Sequence, residues 1–141
     1  MPTIKLEVIS PDAVVYQADI DMLVVRSQEG ELGILPHHMP MIAGILPCAM
    51  RVKLVDREEL IAVAGGFMEV QRDKITILAS CAELPIQIDE LRAQKAYERA
   101  KERIHSFHVA PRENAHIDIE RAELALQRAM ARLKAVHSMK R

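Results

Sequence analysis

Two rows of cations in the last third of the chain have the residue types and spacing to hold an anion. On a helical wheel at about 100° per residue, Arg92, Lys95, Arg99 and Arg103 share one side, and Arg121, Arg128 and Arg132 fall within about 40° of one another. Arginine presents a planar fork of donors that matches phosphate or carboxylate. Two such rows on neighbouring helices can converge on a polyphosphate or meet an acidic protein surface. The plainer alternative is a pair of solvated basic faces. Each row starts in a repeated hexapeptide, Ile88-Asp89-Glu90-Leu91-Arg92-Ala93 and Ile117-Asp118-Ile119-Glu120-Arg121-Ala122. Read alone, each copy is a helix start, with Asp as the N-cap that accepts orphan backbone N–H groups. That accounts for the Asp better than for the Arg, because a cation in the first turn opposes the helix dipole. Asp89 would add an acceptor for an amino or hydroxyl group. There is no Gly-rich phosphate loop and no evident Mg²⁺ ligand set, which favours binding without hydrolysis.

These side chains need helices to position them, and the apolar pattern supplies two. Ala93, Ala96/Tyr97, Ala100, Ile104 and Phe107 repeat at helical spacing, as do Ile119, Ala122, Leu126, Ala129/Met130, Leu133 and Val136. The expected helices span about 89–106 and 118–137, with Pro111 as a stop between them. Both stripes are narrow and rich in Ala. The helices can therefore approach closely as an antiparallel hairpin, yet they bury little apolar area and detach more readily than a Leu-rich pair.

Residues before Ile88 follow a different period. Ile4, Leu6 and Val8 alternate with Lys5 and Glu7, the signature of a half-buried strand. "AVVYQA" and "IDMLVVRS" read as strands separated at Asp19. "MRVKLV" with "ELIAVA", and "GGFMEVQ" with "KITILAS", read as hairpins. Seven to ten short strands argue for an antiparallel β-sandwich or flattened barrel. The fold class is α+β with two segregated units, a sandwich over residues 1–85 and a helical hairpin over 88–141. Charge changes sign at the same place. Residues 1–87 carry seven Lys and Arg against twelve Asp and Glu, whereas residues 88–141 carry twelve against eight.

The stretch "EGELGILPHHMPMIAGI" (29–45) is braced by Pro36 and Pro40. Its apolar residues Ile34, Leu35, Met39, Met41 and Ile42 either enter the sandwich core or form an exposed docking patch. His37 and His38 invite a metal-hydrolase reading with nearby carboxylates, but no Cys or third His lies close in sequence. Cys48 and Cys81 have neither metal nor redox spacing and read as reduced thiols. Only 3% of residues are aromatic and Trp is absent, so no stacking platform for nucleic acid is expected. No signal-peptide pattern opens the chain. The uncharged stretch from Gly33 to Met50 is broken by three prolines and cannot make the roughly 20-residue helix that spans a bilayer. The expectation is a soluble protein that sits beside a membrane through a partner.

Three segments together, "EGELGILP" followed by His37-His38-Met39-Pro40, "AGGFMEVQ" followed by "KITIL", and "ELALQRAMARL", resemble the epsilon subunit of the bacterial F-type ATP synthase. The resemblance covers nearly the whole chain. It implies a non-catalytic subunit, peripheral at the cytoplasmic face of the cell membrane, whose only membrane contact runs through the complex. It implies a sandwich that docks on the gamma subunit and the c-ring, with Glu29, Glu31 and His38 as contact candidates. It implies a hairpin that permits turnover when folded and blocks ATP hydrolysis when extended between the alpha and beta subunits. ATP, with or without Mg²⁺, is implied as a regulatory ligand of the folded hairpin, with no covalently bound cofactor. The implied ligands are Glu83, Ile88, Asp89, Arg92, Ala93, Arg99, Arg128 and Arg132, so the first hexapeptide is the nucleotide motif and the second an incidental cap. The alternative is a purely structural rotor adaptor that binds no nucleotide. The sequence departs from the family where Gly usually stands and this chain has His37. It also departs in a longer connection, Ile104 to His116, that carries His105, His108 and His116. Those histidines would make hairpin opening sensitive to pH, since an unperturbed His titrates near 6.5.

Overall fold

The computed structural model describes residues 2–139. Met1, and Lys140 and Arg141 at the end of the expected hairpin unit, lie outside the described residues. The described residues form ten strands, one short 3-10 turn and two long helices. The strands are β1 (Ile4–Ile9), β2 (Val14–Ile20), β3 (Met22–Ser27), β4 (Gly30–Ile34), β5 (Met41–Ile45), β6 (Cys48–Lys53), β7 (Glu58–Val63), β8 (Gly66–Val70), β9 (Lys74–Ala79) and β10 (Ala82–Glu83). They build two five-stranded sheets, ordered β2-β1-β9-β8-β5 and β10-β7-β6-β3-β4. Pairing is antiparallel except between β1 and β9, which run parallel. The alternation read in β1 has its physical cause here. Ile4, Leu6 and Val8 are buried between the sheets with Ile20, Leu23, Met50, Ile61, Met68 and Ile75, while Lys5 faces out.

One strand boundary differs from the sequence reading. Asp19 does not break the chain; it lies inside β2, opposite Lys5. The break is at Asp21, where the chain leaves the first sheet for the second. Its backbone N–H donates to the carbonyl of Lys53 at 2.8 Å. A charged residue opposite a cation on the outer face is compatible with a strand, so a single Asp was a poor marker of the corner.

Between β4 and β5 the proline-braced loop divides its apolar residues. Ile34 is buried, whereas Leu35, Met39 and Ile42 are exposed. His37 adopts φ 68°, the left-handed region where a Cβ is disfavoured. Replacing it by Gly relieves that conformation and adds some unfolded-state entropy. The expected net gain is about 0.5–1 kcal/mol of sandwich stability, measured by urea unfolding. A loss of stability would mean that the His37 side chain contributes more than its backbone costs.

A turn at Pro85–Gln87 leads from β10 into α1 (Glu90–Val109), and α2 (Ile119–Ser138) returns antiparallel. α1 runs a little beyond the expected residue 106 because no proline intervenes before Pro111. Its main packing partner is α2, and α2 in turn lies on β6 and β7. That double duty explains burial the single stripe missed. Ala131 and Ala135 are buried with Leu60 and Ala62 in a small cluster of their own, while Met130, placed on the stripe, is half exposed. The hairpin therefore hangs on the sandwich through α2, by small side chains. Among the described residues no helix is long and apolar enough to cross a membrane.

Candidate functional site

Both helix starts are built alike. Asp89 Oδ1 accepts from the backbone N–H of Arg92 at 3.1 Å, and Asp118 Oδ1 accepts from that of Arg121 at 3.1 Å. Each Asp is extended and precedes its helix, as an N-cap requires. Capping fixes the first turn and so fixes where Arg92 and Arg121 emerge.

The root of the hairpin encloses a cavity of about 490 Å³. Glu83 of β10, Ile88, Asp89, Arg92, Ala93 and Arg99 around α1, and Arg132 of α2 all line it. Cys81, Gln87, Lys95 and Ala96 complete its wall. Arg132 donates from Nε to Glu83 Oε1 at 2.6 Å, with both side chains partly buried. Burial works against the Arg132 charge, but the hydrogen bond and charge of Glu83 outweigh it and raise its pKa further. This pair ties α2 to the sandwich and sets an acceptor and a donor fork on one wall. Arg92 and Arg99 are exposed at the mouth, and their guanidinium groups form no ion pair among the described residues. The arrangement can hold a phosphorylated anion on three arginines, with Asp89 and Glu83 as acceptors for hydroxyl or amino groups.

Arg128 stands apart from the other expected ligands. It does not line this cavity; it flanks a narrow crevice with Glu83 and Arg132 and faces a second groove between the helices. That wider groove, about 610 Å³, is lined by Arg99, Arg103, Arg121 and Arg128. Arg99 is common to both cavities. The sequence wheel placed the cations on one face of each helix, and their division between two cavities needed the register of α1 against α2.

The other sequence candidates are dispersed. Glu29 lies exposed in the β3–β4 turn, its N–H donating to Ser27 Oγ at 3.2 Å. Glu31, near the start of β4, faces Arg51 at 3.8 Å. His38 lies beyond the other end of β4, with Nδ1 at 2.8 Å from the Met39 carbonyl. No described hydrogen bond or ion pair links His38 to either glutamate. Among the described residues no group of three His, Cys, Asp or Glu could hold a metal, so the pair His37–His38 does not gather a ligand set. Cys48 and Cys81 are free thiols. Of the three connection histidines, His108 stacks edge-on against Phe107, His105 is exposed, and His116 lines the wider groove.

A feature the sequence reading missed lies on the other side of the sandwich. Val14, Ile9, Leu78, Phe67 and Gly44 are successive cross-strand partners on the outer face of the first sheet. Val14, Leu78 and Phe67 are more than half exposed, and so is Ile42 two residues from Gly44. Strand alternation predicts each outward residue, but only the register aligns them into one row.

Together these features define a class, a β-sandwich that carries a helical hairpin with a basic cavity at its root. The family models agree with that division. The ATP synthase delta/epsilon chain β-sandwich domain matches residues 3–85, and the delta/epsilon chain long α-helix domain matches residues 87–137. An ATP synthase epsilon chain from Halalkalibacterium halodurans is 50% identical over 133 residues, covering 94% of this chain and 96% of that one. One from Bacillus licheniformis is 47% identical, covering 94% and 97%. A solved structure of Euglena gracilis mitochondrial ATP synthase (OSCP/F1/c-ring) contains a chain with TM-score 0.73 and 21% identity, covering 100% of this chain and 84% of that one. At that identity the likeness concerns the fold. The chain belongs to the ATP synthase epsilon chain family.

Proposed function

We propose that this chain is a non-catalytic rotor subunit whose folded hairpin binds ATP and whose extended hairpin inhibits ATP hydrolysis. The observation that carries the reading is the convergence of Glu83, Ile88, Asp89, Arg92, Ala93, Arg99 and Arg132 on one cavity at the hairpin root. Those residues come from the sandwich, α1 and α2. Only the docked hairpin assembles them, so a ligand held there favours the docked state by its differential affinity. At about 100 times its Kd, ATP would add about 2.7 kcal/mol to that state. For a hairpin held by alanines this is a substantial bias. Once extended, the same arginines face outward and suit the acidic surfaces of the alpha and beta subunits. ATP and the inhibitory contact then compete for one set of side chains. Calorimetric titration of ATP into the isolated chain tests the reading, with Mg²⁺ present and absent. A site that requires Asp89 and Arg92 is expected, and the absence of binding would overturn it.

The structural-adaptor reading has one observation in its favour. Glu83 already neutralises Arg132, so one cation of the cavity has an internal counter-ion. Against it stand the forks of Arg92 and Arg99, which form no ion pair among the described residues.

For docking on the gamma subunit we favour the exposed row on the outer face of the first sheet. The hairpin covers the other sheet, through β6 and β7, and leaves this face bare. A row of large apolar side chains suits a stable interface. Phe67→Ala should weaken capture by purified gamma roughly tenfold, as expected when an aromatic anchor is truncated. Unchanged capture would move the interface elsewhere. The c-ring contact is assigned to the loop end that carries His38 and to Glu29 and Glu31.

A further inference from the structure

The second hexapeptide lines a cavity of its own. Ile88, Asp89, Arg92 and Ala93 line the first cavity, and the same four positions of the second copy, Ile117, Asp118, Arg121 and Ala122, line the wider groove. A helix cap alone would need only the Asp. We propose that this groove is a second anion site, for a polyphosphate chain either inorganic or carried by a nucleotide.

The charge arrangement supports it. Four guanidinium groups surround the groove, from Arg99 and Arg103 on α1 and Arg121 and Arg128 on α2, with His116 at its edge. The one carboxylate in the lining, Asp118, is engaged in capping α2 through the Arg121 N–H. None of the four guanidinium groups forms an ion pair among the described residues. At the first cavity, by contrast, Arg132 has Glu83. The buried Ala100 and Ala122 floor the groove without a large side chain, which leaves the space above them open. Four like charges around one concavity repel one another, and a multiply charged anion relieves that repulsion. Several arginine forks suit a phosphate chain, whose oxygens accept two parallel bonds from each fork. Because Arg99 borders both cavities, a ligand in one withdraws a donor from the other. Binding at the two sites is therefore anticooperative.

The site does not depend on nucleotide at the first hexapeptide, and its test separates the two. Inorganic tripolyphosphate and ATP are each titrated calorimetrically at low salt. The proteins are the wild-type chain, an Asp89→Ala/Arg92→Ala variant, an Arg103→Gln/Arg121→Gln variant and the variant that combines all four replacements. Tripolyphosphate should bind the Asp89→Ala/Arg92→Ala variant at one site per chain. It should bind at least about tenfold more weakly when Arg103 and Arg121 are replaced on that background. ATP that binds the Asp89→Ala/Arg92→Ala variant and loses affinity with Arg103→Gln/Arg121→Gln identifies a nucleotide as the source. Tripolyphosphate alone behaving so identifies an inorganic chain. Equal tripolyphosphate affinity with and without Arg103 and Arg121 overturns the proposal, as does the absence of binding to the Asp89→Ala/Arg92→Ala variant. Failure of ATP at the first cavity shows instead as identical ATP titrations of the wild type and the Asp89→Ala/Arg92→Ala variant. Both replaced arginines are exposed, and helicity by circular dichroism checks the fold. Should Arg103→Gln/Arg121→Gln not fold, Arg103→Lys/Arg121→Lys keeps the charge and removes the forks. Tripolyphosphate affinity unchanged in that pair would likewise overturn the site.

Discussion

Arg92→Ala should lower ATP affinity by about 10- to 150-fold in calorimetry. The range follows from the roughly 1.5–3 kcal/mol of a hydrogen bond to a charged group. The side chain is exposed at the mouth of the cavity and forms no ion pair among the described residues. Its removal leaves no buried charge behind, so the loss reads as lost ligand contact. Asp89 is less simple, because its carboxylate also caps α1 through the Arg92 N–H. Asp89→Ala removes the cap and costs about 1 kcal/mol of helix stability in addition to any ligand contact. Asp89→Ser keeps a capping oxygen and removes the charge, so the difference between the two variants isolates the cap. The Asp89→Ala/Arg92→Ala variant should show no measurable ATP site at the first cavity. An unchanged affinity in Arg92→Ala would remove that residue from the site. Arg121→Ala should leave the first cavity's affinity within a few-fold, since Arg121 lines only the wider groove.

The two-unit division was legible because the apolar period changes at Ile88, from alternation to helical spacing. Half-buried strands and a hairpin each impose a period, and local sequence records it. What local sequence does not record is which faces meet. Ala131 and Ala135 belong to a contact between α2 and the sandwich, a second buried face on a helix whose first face was already assigned. Alanine carries too little apolar signal to announce a second face. The sequence offers the candidate ligands as a set of basic residues on helices, but Arg128 and Arg132, one turn apart on α2, open onto different cavities. That separation depends on how α1 sits against α2, which no single helix determines. The left-handed backbone at His37 was equally hidden, because His is no marker of positive φ. The apolar row through Leu78 and Phe67 was hidden by register, since strands far apart in sequence supply its members.

Ala135→Leu should release the hairpin and leave the sandwich folded. Ala135 is fully buried in the small cluster with Leu60, Ala62 and Ala131. Extra methylenes in a closed site typically cost about 1–3 kcal/mol. The sandwich core, from Ile4 to Ala79, is a separate cluster and need not absorb that strain. The hairpin can, because it is attached mainly through α2, and moving α2 away relieves the clash at the cost of little buried apolar area. A penalty of 1.4–2.8 kcal/mol raises the undocked population about 10- to 100-fold. Limited proteolysis within residues 88–139 should accelerate by a similar factor when opening and closing outpace cleavage. Thermal unfolding of the sandwich should stay where it is. The first cavity draws Glu83 from the sandwich and Arg132 from α2, so ATP meets a competent site only in the docked fraction. Its apparent affinity should fall in proportion once undocking dominates. Under the proposed function, saturating ATP should then restore protection from protease, by linkage between ligand binding and docking. Wild-type proteolysis in Ala135→Leu would show that α2 is not held through this face. Accelerated proteolysis that ATP fails to reverse would show that the cavity does not select the docked hairpin, and the ATP-sensing role would fall with it.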